Sequence, residues 1–271
     1  MSSISLDQAV DRRRVLSPTT WRLDPGAHGL IGPNGSGKTT LLRAIAGLTP
    51  LRAGSREVER AAMSATGGDV AFVGDRLRDH LATAALVHPH FDHDLAGQLL
   101  GLLGASPGSK IRSLSVGQRQ LAAVATALAS RAPVMLLDEP FNGLDVTARD
   151  GLRAAILGLL QSGPALTVVL TSHRAEDLAG VVEDVTPISG GVLGATRCLD
   201  DLRPQFPTLS GPEAEVRAAV GSLRVLHEQR LGGLLRATLA GRPERIPRGV
   251  TVEHPDDAAL IDSLVYQERN Q

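Results

Sequence analysis

Nine consecutive residues, Gly32-Pro33-Asn34-Gly35-Ser36-Gly37-Lys38-Thr39-Thr40, constrain this chain more than any other stretch. Gly32, Gly37, Lys38 and Thr39 fit the spacing G-x-x-x-x-G-K-[ST]. Glycines so placed let the backbone curl until successive N–H groups point at one anion, and a helix beginning there adds its positive end. His28–Ile31 reads as a short strand entering the loop, and Lys38–Gly47 as a helix closed by Gly47. In that setting the loop holds a nucleoside triphosphate: Lys38 reaches the β and γ phosphates, and the Thr39 hydroxyl is placed to ligate Mg²⁺.

The rest of the chain alternates in the same way. Asp69–Val73, Val134–Leu137 and Ala165–Leu170 read as short apolar strands, and Ser115–Ala129 and Val146–Leu160 as helices. The stretch from Asp75 to about Ile111 is helical, with Leu77, Leu81, Leu86, Leu95, Leu99 and Leu102 on broadly helical spacing. Strands this apolar, separated by helices, indicate a mainly parallel sheet covered on both faces. Val185–Ser189 and Val192–Thr196 flank Gly190-Gly191, a hairpin turn signal. The fold class expected is a P-loop α/β domain over residues 1–203, with a helical insert at about 75–130. A composition break at Pro204–Pro207 and Gly211-Pro212 opens a small α/β unit over 204–271. It contains a helix at Glu213–Val220, β-like runs at Leu223–Glu228, Leu234–Leu239 and Val250–Glu253, and a last helix capped by Asp256 or Asp257.

Composition narrows the function classes. Of 28 basic residues only Lys38 and Lys110 are lysine, and 29 acidic residues balance them, so charge argues for no nucleic-acid partner. The single Cys198 excludes an intrachain disulfide framework and reads as a buried bystander thiol in a reducing compartment. No apolar run is long enough to cross a bilayer, and Asp7 with Asp11-Arg12-Arg13-Arg14 interrupts any signal-peptide core. The chain is expected to be cytoplasmic, and any membrane role to come through a partner. His88-Pro89-His90-Phe91-Asp92-His93 reads as solvated surface, because Pro89 breaks the spacing a metal site needs.

Whether a bound triphosphate is also cleaved depends on a second site. Val134–Leu137 runs into Asp138-Glu139-Pro140, two acids at the carboxyl edge of a parallel sheet, where side chains face the ligand crevice. Asp138 is suited to hold Mg²⁺ through water, and Glu139 to polarise the attacking water. His173, after Thr171-Ser172 at the end of the next strand, is placed to meet the γ-phosphate.

Leu114-Ser115-Val116-Gly117-Gln118, opening the helix before the Asp-Glu strand, and Gly143-Leu144-Asp145 after it bring the elements in series to five. With these motifs the chain resembles the nucleotide-binding subunit of ABC transporters over roughly residues 1–200. The resemblance implies an ATPase requiring ATP and Mg²⁺, with Glu139, His173 and Lys38 catalytic and Ser115, Gly117 and Gln118 meeting the nucleotide. It further implies a head-to-tail homodimer, in which this segment closes on ATP held by the other copy and Asp145 communicates across the interface. The partners implied are integral-membrane permease subunits, driven through the insert from the inner face of the membrane. The 88–93 stretch and the approach to the last helix resemble single-cassette exporters.

The chain departs from the family pattern in three places. Val116 replaces a glycine. Asp75 stands where a glutamine is usual; its carboxylate is a third candidate Mg²⁺ ligand beside Thr39 and Asp138 but cannot donate a hydrogen bond. Ala9 or Val10 stands where an aromatic meets the base, Trp21 being better suited to core packing. The competing classes are a soluble ABC ATPase acting on ribosomes or DNA and a slowly hydrolysing nucleotide-dependent regulator.

Overall fold

The computed structural model describes residues 3–64, 71–162 and 165–268. They form two compact units, the first spanning 1–182 and 186–195, the second 183–185 and 196–271. The second unit thus begins some residues ahead of the composition break at Pro204.

The first unit starts with an antiparallel sheet in the order β2-β1-β4, made of β1 (Ile4–Asp11), β2 (Thr19–Leu23) and β4 (Leu51–Val58). None of these was legible as a strand. β1 is interrupted by a bulge after Leu6, where Gln8 takes a φ of 47°, and β4 is almost entirely exposed, so neither shows a sustained apolar alternation. Trp21 on β2 is buried in the core with Ile4, Leu6 and Leu30, as its packing role required.

The central sheet runs β8-β3-β7-β6-β5, with β9 on β8. Its members are β3 (Gly26–Ile31), β5 (Ala61–Ser64), β6 (Val134–Leu137), β7 (Thr167–Ser172), β8 (Asp184–Ser189) and β9 (Val192–Leu193). β3, β7, β6 and β5 are parallel, and β6 and β7 are buried along their whole length, which is why they read as unbroken apolar runs. The parallel register sets Ile31 beside Ser172 and Leu137 beside Leu170. Three strands therefore release the phosphate loop, Asp138-Glu139 and His173 at one edge. Of the strand expected at Asp69–Val73, Asp69 and Val70 lie outside the described residues, and the described part, Ala71–Val73, has no regular structure. The strand is Ala61–Ser64, whose small side chains gave no apolar signal but pair in register with Val134–Leu137.

Helix α1 (Lys38–Ile45) follows the phosphate loop and ends before Gly47, at a φ of 76°. The insert contains α2 (Leu77–Val87) and α3 (His93–Gly101), broken at Pro89 with Asp92 capping α3 through the Leu95 N–H at 2.9 Å. That amide and the Arg131 guanidinium hold the Asp92 carboxyl below its ordinary range. Leu77, Leu81, Ala96 and Leu100 pack on Leu114, Ala122 and Ala129, the last two from α4 (Val116–Ala129). Leu86 is 86% exposed and does not join the apolar face expected of it, because it lies off the Leu77–Leu81 stripe. α5 (Val146–Ser162) and the short α6 (Ala175–Leu178) complete this unit.

In the second unit β10 (Arg197–Cys198) pairs with Asp184–Val185 and leads into α7 (Leu199–Leu202). An antiparallel sheet follows in the order β12-β13-β11-β14, from β11 (Thr208–Pro212), β12 (Arg224–Leu231), β13 (Leu234–Ala240) and β14 (Thr251–Glu253). α8 (Glu213–Val220) covers one face through Val216 and Ala219, against Leu209, Leu235, Ala237 and Leu239. β11 sits in the middle of this sheet although its Gly211-Pro212 end reads as a break; Pro212 falls at the strand terminus, where its missing N–H costs the ladder least. Asp256 caps α9 (Asp257–Glu268) through the Ala259 N–H. Cys198 is exposed, correcting the expectation of a buried thiol.

Leu81→Ala should lower unfolding stability by about 2–5 kcal/mol, as for other buried leucines. Leu86→Ala should change it by no more than about 0.5 kcal/mol. Denaturant titration of the two variants checks the assignment of the insert's apolar face.

Candidate active site

The phosphate loop is shaped by close backbone approach. At Gly32 a Cβ would fall 2.2 Å from the Ile188 carbonyl oxygen, and Gly37 holds a φ of 108° at the head of α1. Gly37 offers no side chain as a cap, so the first amides of α1 remain available to an anion. The loop lines a cavity of about 320 Å³ together with Val15, Glu139 and Asn142. Inside the loop, Ser36 is buried and its hydroxyl has no hydrogen-bond partner. An orphaned polar atom in such a cradle fits a ligand that brings its own oxygens.

Lys38 is buried as well. Its ammonium donates to the carbonyls of Gly32 (2.7 Å) and Pro33 (3.2 Å) and lies 3.1 Å from Glu139 Oε1. That carboxylate oxygen has no hydrogen bond and is held by charge alone. The other, Oε2, meets His173 Nδ1 at 3.0 Å. Glu139 sits between two cationic or proton-bearing groups and faces the cavity.

Asp138 is fully buried and satisfied by hydroxyls. Thr39 Oγ1 donates to one carboxylate oxygen at 2.7 Å, and Thr171 Oγ1 to the other at 2.8 Å. The Thr171 hydroxyl also accepts the Glu139 N–H at 2.9 Å. Gln120, from the buried face of α4, donates to the carbonyls of Asp138 (3.2 Å) and Glu139 (3.3 Å). These bonds hold Glu139 at a φ of 47°, a conformation unusual for a residue with a side chain. The adjacent Thr39 hydroxyl and Asp138 carboxylate are an all-oxygen donor pair of the kind Mg²⁺ takes.

The sequence-derived residues divide into two groups. The loop residues, Asp138, Glu139 and His173 come together. Ser115, Gly117 and Gln118 do not line the phosphate cavity of their own chain. Ser115 caps α4 in a reciprocal pair with Gln118, while Val116 is 73% exposed. Gly117 packs so closely on Gly143 that a Cβ there would lie 2.5 Å from the Gly143 carbonyl oxygen. Asp145 caps the start of α5 by accepting the Ala148 N–H. Asp75 lines another cavity, with Arg76, Lys110, Arg112 and Arg119. Thr171, Gln120, Asn142 and Val15 were not singled out from sequence. Thr171, two residues before His173 on a buried strand, carried the clearest available signal.

The model of the family described as ABC transporter matches residues 16–142. The aliphatic sulfonates import ATP-binding protein SsuB of Ralstonia nicotianae is 33% identical over 215 residues, covering 75% of this chain and 75% of that protein. The chain belongs to the ABC transporter family. Its class is therefore that of the ATPases that power transport. The taurine import ATP-binding protein TauB of Escherichia coli (strain K12) is 33% identical over 175 residues, 60% of this chain and 68% of that one. The sulfate/thiosulfate import ATP-binding protein CysA 2 of Chromobacterium violaceum is 33% identical over 184 residues, but the match spans only 50% of its length. Among solved structures, an ATP-binding subunit of an ABC transporter superposes with a TM-score of 0.64 at 24% identity, over 74% of this chain and 92% of that one. That likeness shows the same ABC fold.

Thr171→Val removes a hydroxyl that serves both acids, donating to Asp138 and accepting the Glu139 N–H. Stability should fall by about 1–3 kcal/mol, and ATP turnover by at least about tenfold. A variant whose steady-state turnover matched the parent would show that Asp138 and Glu139 need no such tie.

Proposed function

We propose that this ABC protein is the ATP-hydrolysing subunit of a membrane transporter, competent only as a head-to-tail pair with two ATP molecules between the copies. The observation that carries the reading is the chain of contacts from Lys38 through Glu139 to His173, beside Thr39 and Asp138. Phosphate oxygens in the loop compete with Glu139 for the Lys38 ammonium, which frees the carboxylate to orient a water. Water adds to the γ-phosphorus as its bond to the β-bridging oxygen breaks, releasing ADP and inorganic phosphate. His173, on the far side of Glu139, keeps the carboxylate aimed and is placed to hydrogen-bond the departing phosphate. Mg²⁺, held by Thr39 and Asp138, would neutralise charge on the phosphates.

Pairing is supported by the placement of Ser115–Gly117. These residues stand at an exposed helix N-terminus that does not line their own phosphate cavity, and beside the Ser115–Gln118 cap the positive end of α4 faces outward, where an anion from another copy could meet it.

A permease partner is supported by an apolar surface. A cavity of about 320 Å³ has Ala46, Leu48, Met63, Ala71, His80 and His88 among its lining, and the segments around it expose Leu48, Val73, Leu86 and Val87. Among the described residues no helix is long and apolar enough to cross a membrane. In this reading the protein works peripherally on the cytoplasmic face, bound to that partner. Burial holds both His80 and His88 below their ordinary value of 6.5, with Arg60 adding to the effect at His88.

The export direction rests on resemblance of the 88–93 and C-terminal segments. A second reading, import, is favoured by the sulfate, taurine and sulfonate import proteins among the relatives.

Glu139→Gln should abolish turnover by about 10²-fold or more and give an ATP-dependent dimer on gel filtration; a variant that stays monomeric at saturating Mg-ATP counts against the paired site. Ser115→Arg should also block turnover while leaving ATP binding to the monomer intact.

The pH dependence follows from the histidines. Because their folded pKa values lie below 6.5, the unfolded chain binds more protons as pH falls through 6.5. Their contribution to stability is complete above that value and declines as pH drops toward their folded pKa values. In urea midpoints taken between pH 7.5 and 5, a His80→Asn, His88→Asn variant should show a shallower decline.

A further inference from the structure

A nucleotide extends well beyond its phosphate chain, and its nucleoside end needs a surface. Thr40, in the wall of the phosphate cavity, also lines a larger cavity of about 770 Å³, to whose lining Arg12, Arg13 and Arg43 belong. Among the described residues no aromatic side chain lines either cavity. We propose that this second cavity receives the nucleoside end of the bound triphosphate and that the Arg12 and Arg13 guanidinium planes serve as the platform for the base, so that adenine and guanine are accepted alike. The proposal rests on the nucleotide reading above and specifies the recognition chemistry of the same site.

The loop that carries these arginines is built rather than loose. Asp11 is fully buried, and its carboxylate accepts the N–H groups of Arg13 (2.9 Å) and Leu16 (2.8 Å), while its carbonyl accepts that of Arg14 (3.1 Å). Gly191 then fastens the loop to the phosphate cradle. Its carbonyl accepts the Ser17 N–H at 2.9 Å, and its own N–H donates to the Ser36 carbonyl at 2.9 Å. A Cβ on Gly191 would fall 1.8 Å from the Val15 carbonyl oxygen, so the two loops meet without room for a side chain. The backbone that carries Arg12 and Arg13 is thus held beside the phosphate loop, and neither exposed guanidinium makes an ion pair among the described residues.

A guanidinium plane stacks on the face of a heteroaromatic ring, and every base has such a face. Stacking of this kind holds a base without reading its edge. Of the charged groups around the cavity, the one carboxylate, Asp11, already accepts two backbone amides, which leaves it poorly placed to read the adenine amino group. Lysine in place of arginine keeps the charge but loses the plane, and this separates stacking from plain attraction to phosphate.

Isothermal titration of the full chain with Mg-ATP, Mg-GTP and inorganic tripolyphosphate tests the proposal. ATP and GTP should bind within about threefold of each other. The double variants Arg12→Ala, Arg13→Ala and Arg12→Lys, Arg13→Lys should each weaken both nucleotides by about tenfold and tripolyphosphate by less than about twofold. Retained tripolyphosphate binding also shows that each variant is folded. A preference for ATP over GTP above tenfold would overturn the proposal. So would a lysine variant that binds nucleotide like the parent, or an alanine variant that loses tripolyphosphate as severely as ATP. If the parent bound neither nucleotide nor tripolyphosphate, the phosphate-loop reading itself would fail, and this inference with it.

Discussion

The structure of the site depends on one buried carboxylate. Asp138 has no solvent contact, and its two oxygens are met by hydroxyls from two different segments, Thr39 at the head of α1 and Thr171 on β7. A carboxylate left unsatisfied at such a depth is strongly unfavourable. The requirement to satisfy it fixes the phosphate loop, the Asp-Glu turn and the strand that ends in His173 relative to one another. Thr171 then passes the constraint to the next residue by accepting its amide, and Gln120 draws α4 into the same arrangement. Hydroxyls suit this role because they also leave the carboxylate able to turn to a cation: a hydroxyl rotates, whereas an arginine partner would compete with the metal.

Topology places these groups before any side chain refines them. Parallel strands all present their carboxyl ends at one edge, so chemistry distributed over residues 31–173 converges wherever the strands adjoin. β3 and β6 both border β7, although more than a hundred residues separate β3 from β7 in the chain. The apolar content of β6 and β7 is therefore what brings Asp138, Glu139 and His173 to the cradle, not merely what stabilises the domain.

Sequence disclosed most clearly the segments in which one physical demand dominates. Full burial wrote β6 and β7 as apolar runs, tight backbone geometry wrote the glycine loop, and capping wrote Ser115 and Asp256 at helix starts. Segments answering two demands at once were illegible. β1 bulges at Gln8, β4 faces water on most of its length, β5 is built from alanine, methionine and serine, and β11 ends in glycine and proline while lying at the centre of its sheet. Within the site, titratable and glycine motifs announced themselves, whereas Thr171 and Gln120 looked like ordinary core residues because their role is to bond other parts of the chain. Val15 was overlooked for another reason: the base-side loop is set by the geometry of Asp11 and Gly191, and no local spacing encodes where it points.

The contact of Gly117 with Gly143 has a mechanical consequence. Two backbones meet there with no side chain between them to absorb displacement, so they act as a hard stop. Gly143 is the immediate neighbour of Asn142, which forms part of the nucleotide cavity wall and donates its amide to the Glu139 carbonyl. Pressure applied to the exposed tip of α4 is therefore transmitted through rigid peptide units to the hydrolytic acid, with little compliance along the way.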